Sequence, residues 1–313
     1  MSQETALGGT SRSGHWGAFG GLLVTTVMWG SMVPVTALLL DVFNPFLLSI
    51  LRYCAALLAL VILQATIERG LTVRGAPWGR LMALGAAMAA FSTFFTFGIL
   101  FSDPVTAAII LTGGPVIAAI MARLSFRTPF EPGFKLGLLL AVGGGIVVAI
   151  GNPNNAGRLP DLQGGEILLI LAMTCWTWYT IRCQIWLPGW SQLSVTTLTS
   201  ATASFCLAFV FGIAWLLGLA HLPAEPVTLP DIALLLWIGI GGGGIAIVLW
   251  HIGARQFTVA VAALYLNLVP IIAVLIATAL GFQPSWLQLV GGILVLVGVL
   301  QIQLRRFITG RTG

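Results

Sequence analysis

Charge is what this sequence has least of. Only 7% of its 313 residues are Asp, Glu, Lys or Arg, against about a quarter in an ordinary soluble domain. Hydrophobic residues make up 58% and the mean hydropathy is +1.03, which excludes a soluble globule. Apolar runs of about 20 residues suffice to cross a bilayer core as helices, and the alternating ten-residue pattern of a barrel is missing. The chain reads as an all-α, polytopic membrane protein. Its three histidines, His15, His221 and His251, stand alone. There is no HExxH, no serine–histidine pair in mid-membrane and no pair of aspartates, so an intramembrane enzyme has nothing to work with. Without a GxxxxGK[ST] loop the chain does not hydrolyse ATP itself. Cys54, Cys175, Cys183 and Cys206 share neither a loop nor a ligand spacing, and packing is their expected role. No cofactor, metal or catalytic residue is expected.

Acids are missing where a coupled pump would need them. No Asp or Glu falls in the middle of an apolar run, and Glu166 is near the end of one. A carboxylate proton relay is therefore not expected, and movement of a solute would follow its gradient. His251 is the one candidate for proton coupling.

Apolar runs are predicted over residues 17–40, 45–66, 78–101, 104–122, 133–150, 164–182, 193–219, 230–253, 259–280 and 286–304, ten spans in all. Every basic residue except Arg52 and Arg158 then falls on one side of the membrane, and the positive-inside rule puts both termini in the cytoplasm. The net charge of +5 is explained by this placement rather than by nucleic acid. Residues 1–16 are read as a retained cytoplasmic tail and 305–313 as a basic one. Arg52 lies about two turns inside the second span and is expected to snorkel outward, the alternative being attraction of an anion.

The chain repeats itself. Placing Gly98 on Gly253 also aligns Ala107 with Ala262, Leu111 with Leu266, Pro115 with Pro270 and Ala122 with Ala277. After a one-residue slip, Gly137 falls on Gly291 and Gly144 on Gly298. This divides the chain into a five-span repeat over 17–151, an extracytoplasmic linker over 152–163 and a second five-span repeat over 164–304. An odd number of spans per repeat makes the second enter from the opposite side. Such inverted repeats place a substrate near the midplane, between halves that exchange inward and outward shapes. Pro115 and Pro270 are expected to kink the fourth and ninth spans, and Gly241, Gly242, Gly243 and Gly244 to serve as a close-packing face or a hinge.

The mid-helix MWGSMVP and the strings AAIILTGGPVIAAIMA and AALYLNLVPIIAVLIA resemble the drug/metabolite transporter superfamily, in particular its EamA-type members. CWTWYT around Trp176 and GGGGIAIVLWHIG around Trp250 are similar to the YddG-type aromatic amino-acid exporters within it. The resemblance implies ten transmembrane helices in two inverted repeats. The chain departs from it at Thr128 and Phe282, where many EamA-type proteins have glutamate, and at His251, where the YddG-type pattern suggests asparagine.

Equivalent residues of the two halves are expected to approach the pseudo-axis: Trp29 with Trp176, Phe95 with Trp250, Thr96 with His251, Thr112 with Asn267. Tyr179 and Tyr265 complete an expected aromatic lining, suited to a planar apolar group or a cation. For each tryptophan, core or lipid packing is the competing reading; His251 and Asn267 could equally bond helix to helix. The expected protein is an exporter of amino acids, favouring aromatic and apolar ones, in the bacterial inner membrane. Efflux of aromatic cations is the alternative. The bilayer and a small-molecule substrate are its partners, and a monomer could suffice.

Overall fold

The computed structural model describes residues 12–68, 70, 75–127, 134–151, 164–250, 265 and 268–308. Asn and Asp before proline start several helices, because the side chain caps orphan N–H groups and proline needs no intrahelical donor there. Asn44 accepts from the Phe46 N–H (3.1 Å) and opens α2 (Pro45–Ile67). Asp103 accepts from Val105 and Thr106 (2.9 and 3.0 Å) and opens α4 (Pro104–Leu111). A capping box between Thr228 and Asp231 opens α9 (Leu229–Leu236). The remaining helices are α1 (Arg12–Leu40), α3 (Trp78–Leu100), α5 (Gly114–Phe126), α6 (Phe134–Ile150), α7 (Gly165–Trp186), α8 (Gln192–Leu216), α10 (Leu268–Ala279) and α11 (Trp286–Ile308). No strand occurs among the described residues.

Two expectations need correction. The fourth span is two helices, not one kinked helix: Thr112 and Gly113 form a break closed by three-residue turns onto Ile109 and Ile110. Pro115, with no N–H to reach Leu111, falls in the first turn of α5 instead. Pro270 is the third described residue of α10, and the residues at 266–267, through which a kink in the ninth span would be read, lie outside the described residues. Second, the glycine run is neither a plain α-helix nor a break. Trp237–Ile245 is wound as a π-helix continuing α9. Residues 12–16 and 305–308, the described parts of the two expected tails, are helical. The linker over 152–163 lies outside the described residues.

Six described runs are long and apolar enough to cross a membrane: Phe19–Leu40, Pro45–Ile67, Trp78–Leu100, Pro104–Ser125, Gln192–Leu216 and Leu229–Trp250. Phe134–Val148, Leu268–Ala279 and Trp286–Gln301 are shorter apolar helices. Their amphipathicity is inverted relative to a soluble protein. On α8, Phe205, Phe209, Ile213 and Leu216 recur every three or four residues and are exposed, while Thr196, Thr197, Thr199, Ser200, Thr202 and Ser204 are buried. Such a pattern fits lipid outside and hydroxyls inside, each threonine bonding a carbonyl one turn back, as Thr197 does to Leu193 (2.8 Å).

Helix α3 packs on α7 and α8, the π segment on α1 and α2, α2 on α8, and α6 on α11. The α6–α11 contact is backbone against backbone. A Cβ on Gly144 would stand 2.6 Å from the Gly291 carbonyl oxygen, and one on Gly291 would stand 2.6 Å from that of Gly144. Gly298 faces the Gly137 carbonyl in the same way (2.8 Å). A polar tie locks one end of this pair: the Gln288 amide donates to both Asp103 oxygens (3.1 Å each) and to Thr106 (3.0 Å), while Ser285 donates to the Gly151 carbonyl (2.5 Å).

Candidate functional site

Among the described residues, two aromatic groups gather the tryptophans expected at the site. The first joins α3 to α7. Its rings run in sequence: Phe95 to Phe91 (5.6 Å between centroids), Phe91 to Trp176 (5.4 Å) and Trp176 to Tyr179 (5.8 Å). All are tilted rather than stacked. Tyr179 is one turn after Trp176 on α7, as Phe95 is one turn after Phe91 on α3, so each helix supplies two rings to one face. The Tyr179 hydroxyl pairs with Thr199 of α8 (3.0 Å), which fixes the tyrosine against the hydroxyl-lined side of that helix.

The second group joins α1 to the π segment. The Trp29 indole donates to the Gly242 carbonyl (3.0 Å) and its ring lies 5.7 Å from that of Trp250. Trp237 donates to Ser31 (2.7 Å) and Thr25 to the Ala246 carbonyl (3.1 Å), so α1 is stitched along the length of the segment. Glycine is what allows the approach: a Cβ on Gly242 would meet the Met32 sulfur at 2.7 Å. On the other side, a Cβ on Gly243 would stand 2.9 Å from that of Ala56 and one on Gly244 3.5 Å from that of Ala59. Tyr265 meets Phe19 edge-on (5.8 Å).

Thr96 is fully buried beside Phe95, accepts from Ser49 (3.1 Å) and donates to the Ser92 carbonyl (2.8 Å). Thr112, also buried, donates to the Ala108 carbonyl at the α4–α5 break (3.1 Å). His251 and Asn267 lie outside the described residues. No ring contact joins Trp29 to Trp176; each instead belongs to one of the two groups.

Arg52 corrects a further expectation. It does not snorkel. The side chain is 3% exposed, donates through Nη2 to Ser92 (2.7 Å) and holds its guanidinium 5.2 Å from the centre of the Phe95 ring and 5.7 Å from that of Tyr53. Helix α3 covers the side chain with Ser92 and Phe95, and Tyr53 of α2 itself stands beside it. The sequence carried a signal for this. Ser49, Arg52, Tyr53, Ala56 and Leu60 share a face of α2 by three- and four-residue spacing, and that face is buried, whereas Leu58, Val61 and Ile62 opposite are exposed. Phe91 and Thr199 were likewise missed: Phe91 sits one turn before Phe95 on α3, and Thr199 faces Tyr179 from α8.

An open groove of about 640 Å³ lies elsewhere, walled by Phe209, Phe211, Trp215 and Leu222. Its walls are apolar and it lies on the outer side of α8, a place for acyl chains rather than for a polar solute. Among the described residues no group of His, Cys, Asp or Glu could hold a metal.

The comparisons with known proteins agree with this architecture. The chain is 25% identical over 215 residues to the uncharacterized transporter YyaM of Bacillus subtilis, spanning 67% of this chain and 68% of that one. It is 26% identical over 293 residues to a probable terminal-alkyne amino-acid exporter of Streptantibioticus cattleyicolor (91% and 92%). With the aromatic amino acid exporter YddG of Ancylobacter novellus it shares 23% over 243 residues (76% and 80%). A solved crystal structure, 18% identical, superposes with a TM-score of 0.64 over 95% of this chain and 98% of that one, which is a likeness of fold. Finally, the model of the EamA-like transporter family matches residues 15–150 and 163–303. The chain is a multi-pass membrane protein that belongs to the EamA-like transporter family.

Proposed function

We propose that the protein is a secondary transporter of the bacterial inner membrane that exports amino acids, favouring aromatic and apolar ones, by alternating access of two inverted five-helix repeats. The observation that carries the substrate class is the ring series Phe95, Phe91, Trp176 and Tyr179, set beside the buried hydroxyls of Ser49, Ser92, Thr96 and Thr199. An aromatic side chain would exchange partners among such rings at about 0.5–1.5 kcal/mol per contact, and the hydroxyls would serve its polar end. Two relatives named as amino-acid exporters support the same class.

The inverted repeat is supported by reciprocal contacts. The alignment equates Gly137 with Gly291 and Gly144 with Gly298; in space Gly144 meets Gly291 and Gly137 meets Gly298. A two-fold axis passing between α6 and α11 would give that crossing. The π segment packs on α1 and α2 as α3 packs on α7 and α8, and Trp29 with Trp250 answers Trp176 with the Phe91–Phe95 pair. On this reading ten helices span the membrane, both termini are cytoplasmic, and transport runs down the substrate gradient.

Counterflow tests the proposal. Proteoliposomes preloaded with unlabelled phenylalanine should take up labelled phenylalanine at matched pH and zero potential, and Trp176→Ala should lower the initial rate about tenfold while the protein still elutes as a folded species. A well-reconstituted protein with no phenylalanine counterflow, but with exchange of an aromatic cation, would replace amino acids by cations. Uphill accumulation abolished by a protonophore would overturn the gradient-driven mode.

A further inference from the structure

Among the described residues, Arg52 is a cation held deep in the helix layer without an anion. It is the eighth residue of α2, about 10 Å along the helix from its start at 1.5 Å per residue. A guanidinium stays protonated in any protein environment, and a charge at this depth is costly unless something compensates it. Compensation is incomplete here. Ser92 takes one donor at Nη2 and the faces of Phe95 and Tyr53 take part of the field, but Nη1 is buried with no hydrogen-bond partner. Among the described residues no carboxylate forms an ion pair with it.

The donors left open are those of a planar fork, which matches the two oxygens of a carboxylate better than any neutral acceptor. The surroundings narrow the ligand further. Phe95 lies under the guanidinium and passes into Phe91 and Trp176, so an anion held at Nη1 has an aromatic wall beginning beside it. A cation entering the same wall would meet the arginine charge and be repelled by it.

We propose that Arg52 is the carboxylate anchor of the transport site, so that the protein selects aromatic solutes bearing a carboxylate and rejects their amides and amines. The proposal rests on the transport reading above and assigns Arg52 as a specificity-determining residue, with Ser92 positioning the guanidinium.

The test separates the two readings. In phenylalanine counterflow by the wild-type protein, 3-phenylpropionate should compete, while phenylalaninamide and phenethylamine should need at least about tenfold higher concentration, the scale of a charge-assisted hydrogen bond. Arg52→Gln should raise the half-saturating phenylalanine concentration by about tenfold or more and erase the preference for acid over amide; Arg52→Lys should recover part of both. Equal competition by acid and amide in the wild type overturns the proposal, as does an Arg52→Gln protein with unchanged half-saturation and preference. If Arg52→Gln does not fold, the wild-type comparison decides alone. Should phenylalanine itself not be carried, the amino-acid reading fails. Arg52 is then judged by melting temperature in detergent: stabilisation by 3-phenylpropionate, absent with phenethylamine, supports the anchor, and equal shifts or none with both sink it.

Discussion

Glycine does two different jobs in two helix contacts. Between α6 and α11, Gly144 and Gly291 face each other's carbonyl oxygens, with Val295 and Val148 beside them, and the main chain nearest the contact cannot swing aside. On the side of the π segment that faces α1, Gly242 and Gly241 meet the thioethers of Met32 and Met28, which can, although Gly239 and Gly243 meet α2 at the Arg52 carbonyl and the Ala56 methyl (2.9 Å each). The difference is between a joint made of main chain and one made of the most adaptable side chain in the repertoire. A transporter needs both: a fixed pair for the rest to move against, and a contact that survives a change of shape.

Replacing Gly144 by Ala should break the comparison most severely. The added carbon meets the Gly291 oxygen at 2.6 Å and the Val295 nitrogen at 2.9 Å, so the helices must part, at a cost of about 2–3 kcal/mol visible as a lower melting temperature in detergent. Gly242→Ala should cost less than about 1 kcal/mol, since the Met32 sulfur at 2.7 Å can rotate away. A matching loss in both variants would show that the π segment is as rigid as the α6–α11 joint. Adding Met32→Ala to Gly242→Ala sharpens the point: the double variant should recover part of the single loss, a coupling of about 0.5 kcal/mol or more in a double-mutant cycle. Gly145, beside Gly144 but with nothing within 4 Å of where a Cβ would stand, is the control. Gly145→Ala should leave stability unchanged or raise it by up to about 1 kcal/mol through helix propensity.

How much of this was legible in the sequence depends on what kind of signal each feature leaves. Hydropathy and length announce α2, α3 and α8 because lipid contact demands runs of apolar residues wherever a helix crosses. Asn44–Pro45 and Asp103–Pro104 mark helix starts by chemistry that is local, and the structure begins α2 and α4 there. The equivalence of Gly137 with Gly291 and of Gly144 with Gly298 was readable as identity, but not which would touch which. That depends on how the two helices cross, which the string does not contain. Winding is less legible still: a run of four glycines permits π geometry without requiring it, and what selects it is the packing of α1 and α2 on either side.

Of the candidate site, Trp29, Phe95, Thr96, Trp176, Tyr179 and Trp250 all prove to lie among helix contacts inside the layer. Their partners were not foreseen, because ring contacts depend on helix rotation, to which residue spacing is only a partial guide. Arg52 misleads for a reason worth keeping. Depth along a helix suggests how far a side chain must stretch to reach water, but whether it stretches depends on what the next helix offers. Here α3 offers Ser92 and Phe95.

The π winding of Trp237–Ile245 has a consequence for everything beyond it. A π-helix accommodates an extra residue per turn relative to the α form, and the Ala246 N–H accordingly reaches back to Gly241. The segment thus stores slack in angular register. Rewound as α-helix at 3.6 residues per turn, it would rotate the following stretch by on the order of 100°, carrying the Trp250 ring away from Trp29. The pitch of this helix is therefore geared to its bonds with α1: a change of winding that turned the Trp250 ring through about a quarter of a circle would have to release the Trp29–Gly242 and Thr25–Ala246 bonds as it did so.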